Sequence, residues 1–173
     1  MELKVLTGQQ LIDSGFEEEL MEFDRGNMQS VFAEAKLEFP EANRRQGLRS
    51  NPTFVMAFDG NAIAGYVEYL RSWNDPKYIY VSSVQIAESY RGGGLLLELL
   101  DALRGLLAVE EFIGLEANVQ KVNTAAIRLY QKLGFQLERN PANDASWTAK
   151  AGKELLTDSP VVKLIQRRRR TRR

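Results

Sequence analysis

The chain has 173 residues, of which 44% are hydrophobic, and it contains neither cysteine nor histidine. This length favours one domain with its own core over two. Without cysteine there are no disulfides, thiolate metal sites or cysteine nucleophiles, and without histidine the commonest metal ligand and general base is missing. Any chemistry must therefore use carboxylates, tyrosine, hydroxyl groups, the backbone or ordered water.

The net charge of zero hides an uneven distribution. Six of the 23 basic residues are arginines within residues 167–173, so residues 1–166 carry a net charge of −6. An acidic body favours cationic partners such as amines, although salt screens this preference. We expect one folded domain over residues 1–166 and a disordered basic tail over residues 167–173. Neither a secretory leader nor a membrane span is recognisable, which predicts a cytoplasmic protein.

The first forty residues predict a strand followed by helices. Alternating apolar residues favour a strand over residues 2–6, which Thr7 and Gly8 interrupt. Apolar residues at helical spacing then predict at least two helices over residues 9–39, separated at Gly26 and Asn27. The aromatic side chains of these helices are expected in the core.

A polar segment and a hairpin follow Pro40. Residues 41–51 predict a loop or a short helix, with its arginines on a solvated face. These arginines are Arg44, Arg45 and Arg49. Residues 53–58 and 62–71 predict two antiparallel strands joined by a tight turn. On the second strand, Glu68 shares a face with apolar and aromatic residues, which makes it an unusual carboxylate.

The most informative stretch reads as a strand, a glycine loop and a helix. β-Branched and aromatic residues predict a strand over residues 78–86, and Arg91-Gly92-Gly93-Gly94 separates it from leucines at helical spacing. The first N–H groups of a helix attract anions, and glycines let a phosphate approach them closely. A triple glycine also makes a tight turn without any ligand, so the loop alone leaves both interpretations open. It matches neither a nucleotide-binding P-loop nor the dinucleotide fingerprint.

A second strand and helix follow downstream. Residues 112–119 alternate in a way that predicts a strand paired with the central one. Asn123 can cap the next helix, because its side chain can accept from a free N–H of the first turn. One face of that helix carries Ala126 and Tyr130, and Gly134 predicts a left-handed stop after which Phe135 packs back.

The last third of the chain gives weaker signals. Residues 136–138 and 161–165 predict two short strands, joined by a long connection over residues 140–160. Long connections in compact domains are often functional lids or disordered segments. Trp147 in this connection either covers an acceptor pocket or only anchors the loop.

The glycine loop and the downstream segment together resemble the GNAT superfamily of acyl-CoA N-acyltransferases. Arg91 and Gly94 match the family's Arg/Gln-x-x-Gly-x-Gly/Ala loop, although Leu96 stands where the family usually has Gly or Ala. The more specific match is Asn-x-x-Ala-x-x-Leu-Tyr-x-x-x-Gly-Phe. Its positions here are Asn123, Ala126, Leu129, Tyr130, Gly134 and Phe135. The resemblance is specific over about residues 53–140.

The resemblance implies an α/β fold and an acyl-CoA site. The implied fold is a mixed, mostly antiparallel sheet flanked by helices, with a splayed central cleft for acyl-CoA. The pantetheine arm would bond to the backbone of Val84 and Ile86 like an added strand. The implied cofactor-binding residues also include Arg91, Gly92, Gly93, Gly94, Leu95, Leu96, Asn123, Ala126 and Tyr130. Residues 9–39 would be the usual place for the walls of the acceptor site, which leaves some of Phe16, Phe23 and Phe32 as candidates beside their core role.

The resemblance also implies the reaction. Acetyl transfer from acetyl-CoA to a primary amine needs a base for the amine, a donor for the tetrahedral oxyanion and an acid for the thiolate. Tyr130 is the candidate acid and the Val84 N–H the candidate oxyanion donor. Many relatives carry a catalytic carboxylate just before this position, where this chain has Ser82 and Ser83. Glu68 is the candidate base, and the alternative is water relayed through Ser82, Ser83 or Asn118.

A rival interpretation is a non-catalytic CoA-binding or interaction module. The missing carboxylate and Leu96 favour it, and the arginine tail could deliver such a module to nucleic acid or another acidic partner. The expected partners of the enzyme are acetyl-CoA and an amine acceptor, a small molecule or a peptide, without metal or membrane. Either a monomer or a homodimer fits the sequence.

Overall fold

The computed structural model describes residues 1–158 and 160–171. The strands are β1 (Glu2–Thr7), β2 (Thr53–Asp59), β3 (Ala62–Arg71), β4 (Tyr78–Ile86), β5 (Gly114–Gln120), β6 (Gln136–Arg139) and β7 (Ser146–Gly152). The helices are α1 (Gly8–Asp13), α2 (Glu17–Glu34), α3 (Glu41–Arg49), α4 (Leu95–Leu107), α5 (Thr124–Lys132), α6 (Glu154–Thr157) and α7 (Pro160–Thr171). The strands form one sheet in the order β1-β2-β3-β4-β5-β7-β6. The predicted mixed, mostly antiparallel α/β fold is therefore confirmed.

The chain divides into two compact units that interleave along the sequence. The first consists of Met1–Tyr69 and Ser83–Leu99, and the second of Leu70–Ser82 and Leu100–Arg173. Strand β4 accordingly begins in the second unit and ends in the first.

The first unit is built on the antiparallel ladder of β1, β2 and β3. Thr7 ends β1 and caps α1, because its hydroxyl accepts from the Gln10 N–H while the Gln10 side chain accepts from the Thr7 N–H. The core is a cluster of buried apolar side chains. Its members are Leu11, Leu20, Met21, Leu48, Phe54, Met56, Phe58, Ile63 and Tyr66. Phe16 and Phe23 pack against this cluster, whereas the ring of Phe32 lies 5.9 Å from that of Phe39.

The helix boundaries of the first unit differ from the prediction at one place. Gly26 and Asn27 lie inside α2 rather than between two helices. The break occurs at Gly15 instead, which has a left-handed φ of 79° between α1 and α2. A glycine in a helix interior costs only about 1 kcal/mol relative to alanine. Burial of Leu20 and Met21 from the same helix offsets that cost.

The second unit is built around β5. The start of β4 pairs with it in parallel over Tyr78–Gly114, Ile79–Leu115 and Tyr80–Glu116, while β7 pairs with it antiparallel along all seven of its residues. β6 then pairs antiparallel with β7. The predicted strands over residues 112–119 and 136–138 are thereby confirmed, except that β5 starts at Gly114 and Ile113 is exposed.

Two predictions for the last third of the chain were wrong. Residues 140–160 contain β7 and α6 rather than one long connection, and Trp147 lies on β7 opposite Val119. Residues 161–165 belong to α7 rather than to a strand. Val162 and Ile165 are buried three positions apart, whereas Leu164 is 51% exposed, which is helical rather than alternating periodicity.

The basic segment is helical as far as the structure describes it. α7 continues through Arg167 to Thr171, and the Arg169 side chain pairs with Asp101. The expected disorder therefore does not apply to residues 167–171, while Arg172 and Arg173 lie outside the described residues. None of the helices in residues 1–158 and 160–171 combines the length and apolar character that a membrane crossing requires.

Candidate functional site

The glycine loop of the first unit joins β4 to α4 as predicted. A single 3-10 turn (Glu88–Tyr90) follows β4, and α4 begins at Leu95. Gly92 and Gly94 adopt left-handed φ angles of 76° and 90°, which residues with a Cβ rarely adopt. The loop conformation thus depends on glycine itself.

The start of α4 presents backbone donors. The N–H groups of Leu97 and Glu98 donate to the Gly94 carbonyl at 3.1 and 3.3 Å. The N–H groups of Leu95 and Leu96 come before the first intrahelical hydrogen bond, so the helix itself supplies no acceptor for them. Together with the positive end of the helix dipole, they are suited to an anion.

Arg91 adds a positive charge at the beginning of the same loop. Its Nε donates to the Ile86 carbonyl oxygen at 3.0 Å. In the part of the chain that the structure describes, Arg91 makes no ion pair. An exposed guanidinium without a carboxylate, close in sequence to the first N–H groups of a helix, is an arrangement suited to phosphate.

The turn before the loop is anchored by a tyrosine. The Tyr90 hydroxyl donates to Asp59 Oδ2 at 2.5 Å and so ties the turn to the end of β2. This hydrogen bond raises the pKa of Tyr90. The anchor fixes the residue that directly precedes Arg91.

A buried charged cluster, which the sequence did not reveal, lies in the same unit. Arg44 Nε lies 2.6 Å from Asp24 Oδ2, and Arg44 Nη1 lies 2.6 Å from Glu68 Oε2. The Tyr66 hydroxyl donates to Asp24 and accepts from Arg44 Nη2 at 3.2 Å. We call Asp24, Arg44, Tyr66 and Glu68 the buried cluster. The solvated face predicted for Arg44 was wrong, because α3 turns this side chain toward two buried carboxylates.

Burial controls proton binding in the buried cluster. Burial raises the pKa of Asp24, and the charge of Arg44 and the Tyr66 hydrogen bond only partly offset it. Burial and the neighbouring Asp24 also raise the pKa of Tyr66 well above its usual value. Tyr66 therefore stays protonated at neutral pH and keeps donating to Asp24.

The buried cluster continues into β4 through hydroxyl and amide groups. Tyr66 Oη lies 3.3 Å from Ser83 Oγ. Ser83 Oγ accepts a hydrogen bond from Gln85 Nε2 at 3.4 Å. Gln85 Oε1 in turn accepts from Asn27 Nδ2 at 3.5 Å. Ser83 directly precedes Val84, so a polar chain runs from the buried cluster to the strand position predicted to bind the acyl oxygen.

The other predicted site residues lie in the second unit. Asn123 Oδ1 accepts from the Ala126 N–H at 3.1 Å, which confirms its helix cap. Tyr130 is buried on α5, and its ring lies 5.0 Å from that of Phe135. Gly134 ends the helix with a φ of 98°, as predicted.

The Tyr130 hydroxyl keeps its proton far into the alkaline range. Burial raises its pKa above the usual value of tyrosine, and the neighbouring Tyr80 raises it further. At neutral pH this hydroxyl is therefore a hydrogen-bond donor and not a base.

The structure thus groups the predicted residues into two sets. The first unit holds Val84, Ile86, Glu68 and residues 91–96, and the second holds Asn123, Ala126 and Tyr130. Asp24 and Tyr66 carry no motif that would have revealed them. The one sequence feature that pointed to the buried cluster was Glu68, because a carboxylate among apolar strand residues needs a cationic partner when it is buried.

Comparison with known proteins identifies the family. The model of the Acetyltransferase (GNAT) family matches residues 16–135. The chain belongs to this family, and it is an enzyme of the acetyltransferase class. No match was found among curated proteins.

Solved structures share the fold at low sequence identity. One is PaiA N-acetyltransferase from Thermoplasma acidophilum in complex with coenzyme A, with a TM-score of 0.66 at 14% identity, covering 88% of this chain and 99% of that one. An acetyltransferase from Thermus thermophilus has a TM-score of 0.65 at 19% identity, and the match covers 88% of this chain and 97% of that one. A GNAT acetyltransferase from Staphylococcus aureus has a TM-score of 0.68 at 15% identity, and the match covers 87% of this chain and 99% of that one.

Proposed function

We propose that the protein transfers an acetyl group from acetyl-CoA to a primary amine by direct attack in a ternary complex. The observation that carries this proposal is the loop at residues 91–96. Arg91 has no carboxylate partner among the described residues, and the first N–H groups of α4 follow it within the family-matched segment. These groups suit the phosphates of an acyl-CoA.

Each predicted residue has a role in this proposal. In the first unit, residues 91–96 bind the phosphates, and the backbone of Val84 and Ile86 meets the acyl group and the pantetheine arm. The Val84 N–H stabilises the oxyanion. In the second unit, Asn123 and Ala126 contact the arm, and Tyr130 assists the leaving thiolate.

The reaction needs a base that accepts the amine proton and a source of the proton that the thiolate finally takes up. The amine nitrogen attacks the acyl carbon, the carbon–sulfur bond breaks, and the amine proton must pass to a base. Glu68 is the proposed base, although Arg44 Nη1 already occupies its Oε2. The hydroxyl of Ser83, which lies in the polar chain from the buried cluster, supports water-relayed transfer as the alternative.

Tyr130 is proposed to act on the leaving group, the thiolate of CoA. A thiol has an ordinary pKa of about 8.5, below that of tyrosine at about 10, and burial raises the pKa of Tyr130 further. Complete proton transfer from Tyr130 to the departing thiolate is therefore uphill. Its contribution is a hydrogen bond that stabilises the sulfur as negative charge develops, and the thiolate is finally protonated from water.

The test is acetyl-CoA binding followed by turnover. Acetyl-CoA should raise the melting temperature, because a ligand that binds only the folded protein stabilises it by mass action. Release of the CoA thiol should then depend on an added primary amine and not on the corresponding alcohol. An unchanged melting temperature at saturating acetyl-CoA would refute the proposal. Binding without release across a broad amine panel would favour a non-catalytic CoA-binding module.

A further inference from the structure

A cavity of about 650 Å³ opens within the second unit. Its walls come from β4, β5, β6 and β7 and from the turn that precedes β4. The polar and aromatic residues that line it include Ser72, Trp73, Tyr80, Glu116, Asn118 and Thr148. Of these six, only Asn118 has a role predicted from the sequence.

The cavity contains a buried carboxylate. Glu116 is only 7% exposed and accepts a hydrogen bond from the Ser72 hydroxyl. Within residues 1–158 and 160–171, no cation lies within ion-pair distance of Glu116. A buried charge without a counter-charge is costly, so Glu116 is suited to a cation from outside the chain.

The basic residues of the lining do not supply that counter-charge. Arg139 Nη2 lies 3.5 Å from Asp144 Oδ1, and Lys150 Nζ lies 3.6 Å from Glu138 Oε2. Each cation is thus paired with a carboxylate of its own. Lys150 is the cross-strand neighbour of Glu116, but among the described residues its ammonium forms its ion pair with Glu138. The cavity is therefore more suited to a cation than to an anion.

An aromatic pair forms another part of the wall. The Trp73 and Tyr80 rings lie 6.3 Å apart at an angle of 49°. Trp73 is 73% exposed, which leaves much of its ring available to a ligand. The faces of tryptophan and tyrosine attract alkylammonium groups, and a carboxylate beside them strengthens that preference.

Tyr80 also connects the cavity with the proposed chemistry. It lies on β4 opposite Glu116 of β5, and it raises the pKa of Tyr130, the residue assigned to the thiolate. A nitrogen held by Glu116 remains an ammonium, because a nearby carboxylate stabilises the charged form. An attacking nitrogen must instead be neutral. Because the proposed base is Glu68 and not Glu116, the nitrogen held here keeps its proton and is a different one from the nitrogen that is acylated.

We propose that this cavity binds a second, cationic nitrogen of the acceptor, between Glu116 and the Trp73–Tyr80 pair. The acceptor class is then a diamine or polyamine, an inference that rests on the proposed function. Cation binding itself does not depend on acetyl-CoA. It can therefore be measured separately from catalysis.

The binding test uses butane-1,4-diammonium as the probe and butane-1,4-diol as its neutral control. In a Trp147→Phe background, Trp73 is the only tryptophan, since the chain has two. The diammonium should change Trp73 fluorescence saturably at constant ionic strength, whereas the diol should not. Calorimetry on the parent protein should give the same dissociation constant.

Single substitutions then test which side chains of the cavity bind the diammonium. Glu116→Gln keeps the shape and should weaken binding by about 10- to 100-fold, as expected for the loss of a hydrogen bond to a charged group. Trp73→Ala should weaken it by about 2- to 5-fold by calorimetry. The matched control is Glu154→Gln, which removes the same charge from an exposed position on α6 and should bind like the parent.

The outcomes separate this inference from the proposed function. If folded Glu116→Gln binds the diammonium like the parent, or the diol binds equally well, the cavity inference is wrong even where amines are acetylated. If the diammonium binds through Glu116 but no amine releases thiol from acetyl-CoA, the cation site stands and the proposed function fails. If both hold, the KM for the diamine should rise in Glu116→Gln while the KM for acetyl-CoA does not change.

Discussion

Arg44 lies within 2.6 Å of Glu68 and within the same distance of Asp24, so one guanidinium serves two buried carboxylates. Asp24 and Glu68 are only 3% and 4% exposed, and Arg44 forms an ion pair with each of them. Transfer of a carboxylate from water to such a site is costly unless a counter-charge and hydrogen bonds compensate it. Asp24 on α2 and Glu68 on β3 therefore both need the guanidinium of Arg44 on α3 as their counter-charge.

Replacement of Arg44 by methionine should destabilise the protein strongly. The change keeps much of the side-chain volume but removes the cation that Asp24 and Glu68 share. Removal of one partner from a buried ion pair typically costs about 3–5 kcal/mol. We expect this loss in the free energy of unfolding, measured by urea denaturation.

The matched control is Arg49→Met on the same helix. Arg49 is exposed, and its side chain donates to the Arg45 carbonyl at 3.2 Å. Its replacement should cost less than about 1 kcal/mol. Equal effects of the two substitutions would show that the buried cluster does not depend on Arg44.

Alkaline pH should reveal the buried state of Tyr130. Because burial raises its pKa, the folded protein keeps this proton above about pH 10, where tyrosines of the unfolded chain lose theirs. The folded state then binds more protons than the unfolded state, so the free energy of unfolding falls as the pH rises. The decrease is about 1.4 kcal/mol per pH unit for one such group.

Tyr130→Phe removes this group without removing the ring. Its free energy of unfolding should therefore fall less steeply than that of the parent between about pH 10 and pH 11.5. Denaturant titrations of both proteins across this range measure the difference. Parallel curves would mean that the hydroxyl is accessible to solvent in the folded protein.

The same substitution tests the proposed role of Tyr130 in catalysis. Loss of a single donor to developing charge typically lowers turnover by about 10²- to 10³-fold. Binding of acetyl-CoA should change little, since the ring keeps its packing against Phe135. Steady-state thiol release and calorimetry with acetyl-CoA measure the two quantities. Turnover at the parental rate would reduce Tyr130 to a packing residue.

A negative charge in the glycine loop should abolish acetyl-CoA binding. Gly93 is the best position, because it has no left-handed φ and an added Cβ would only touch the Tyr90 carbonyl at 3.4 Å. Gly93→Glu should therefore leave the fold intact while repelling phosphate. We expect the rise in melting temperature with acetyl-CoA to disappear.

Gly105→Glu provides the control for that charge. Gly105 is an exposed residue of α4 with open space around it. This variant should keep the full rise in melting temperature. A loss in both variants would show that net charge, rather than the loop, determines the response.

The parts of the fold that could be predicted are those whose signals are local. The β2–β3 hairpin has an Asp-Gly-Asn turn between apolar strands, and α5 has a polar cap at Asn123 and a glycine stop at Gly134. In each case the residues that start or end the element are within a few positions of it. The strand, loop and helix at residues 78–107 were predictable for the same reason.

The parts that could not be predicted depend on tertiary contacts. β7 buries Ala149 and Ala151, which have little strand propensity and are held by pairing with β5 and β6. In the segment around Val162 and Ile165, β-branched residues favoured a strand, although their burial follows a helix. Arg44 gave no signal because its two carboxylate partners are 20 and 24 positions away in the sequence.

The hydrogen bond from Arg91 Nε to the Ile86 carbonyl also has an entropic consequence. A long side chain that must be immobilised by its ligand costs about 0.5–1.5 kcal/mol of binding free energy. Because the chain already holds Arg91 by its Nε, an anion at the Nη groups meets a side chain whose rotamer is largely set. A lysine at this position would keep the charge but has a single nitrogen, which cannot bond Ile86 and face an anion with the same fixed geometry. Arg91 can therefore bond the Ile86 carbonyl through Nε and bind an anion through its Nη groups at the same time, with its side chain already ordered. A lysine could make only one of these contacts in a fixed geometry.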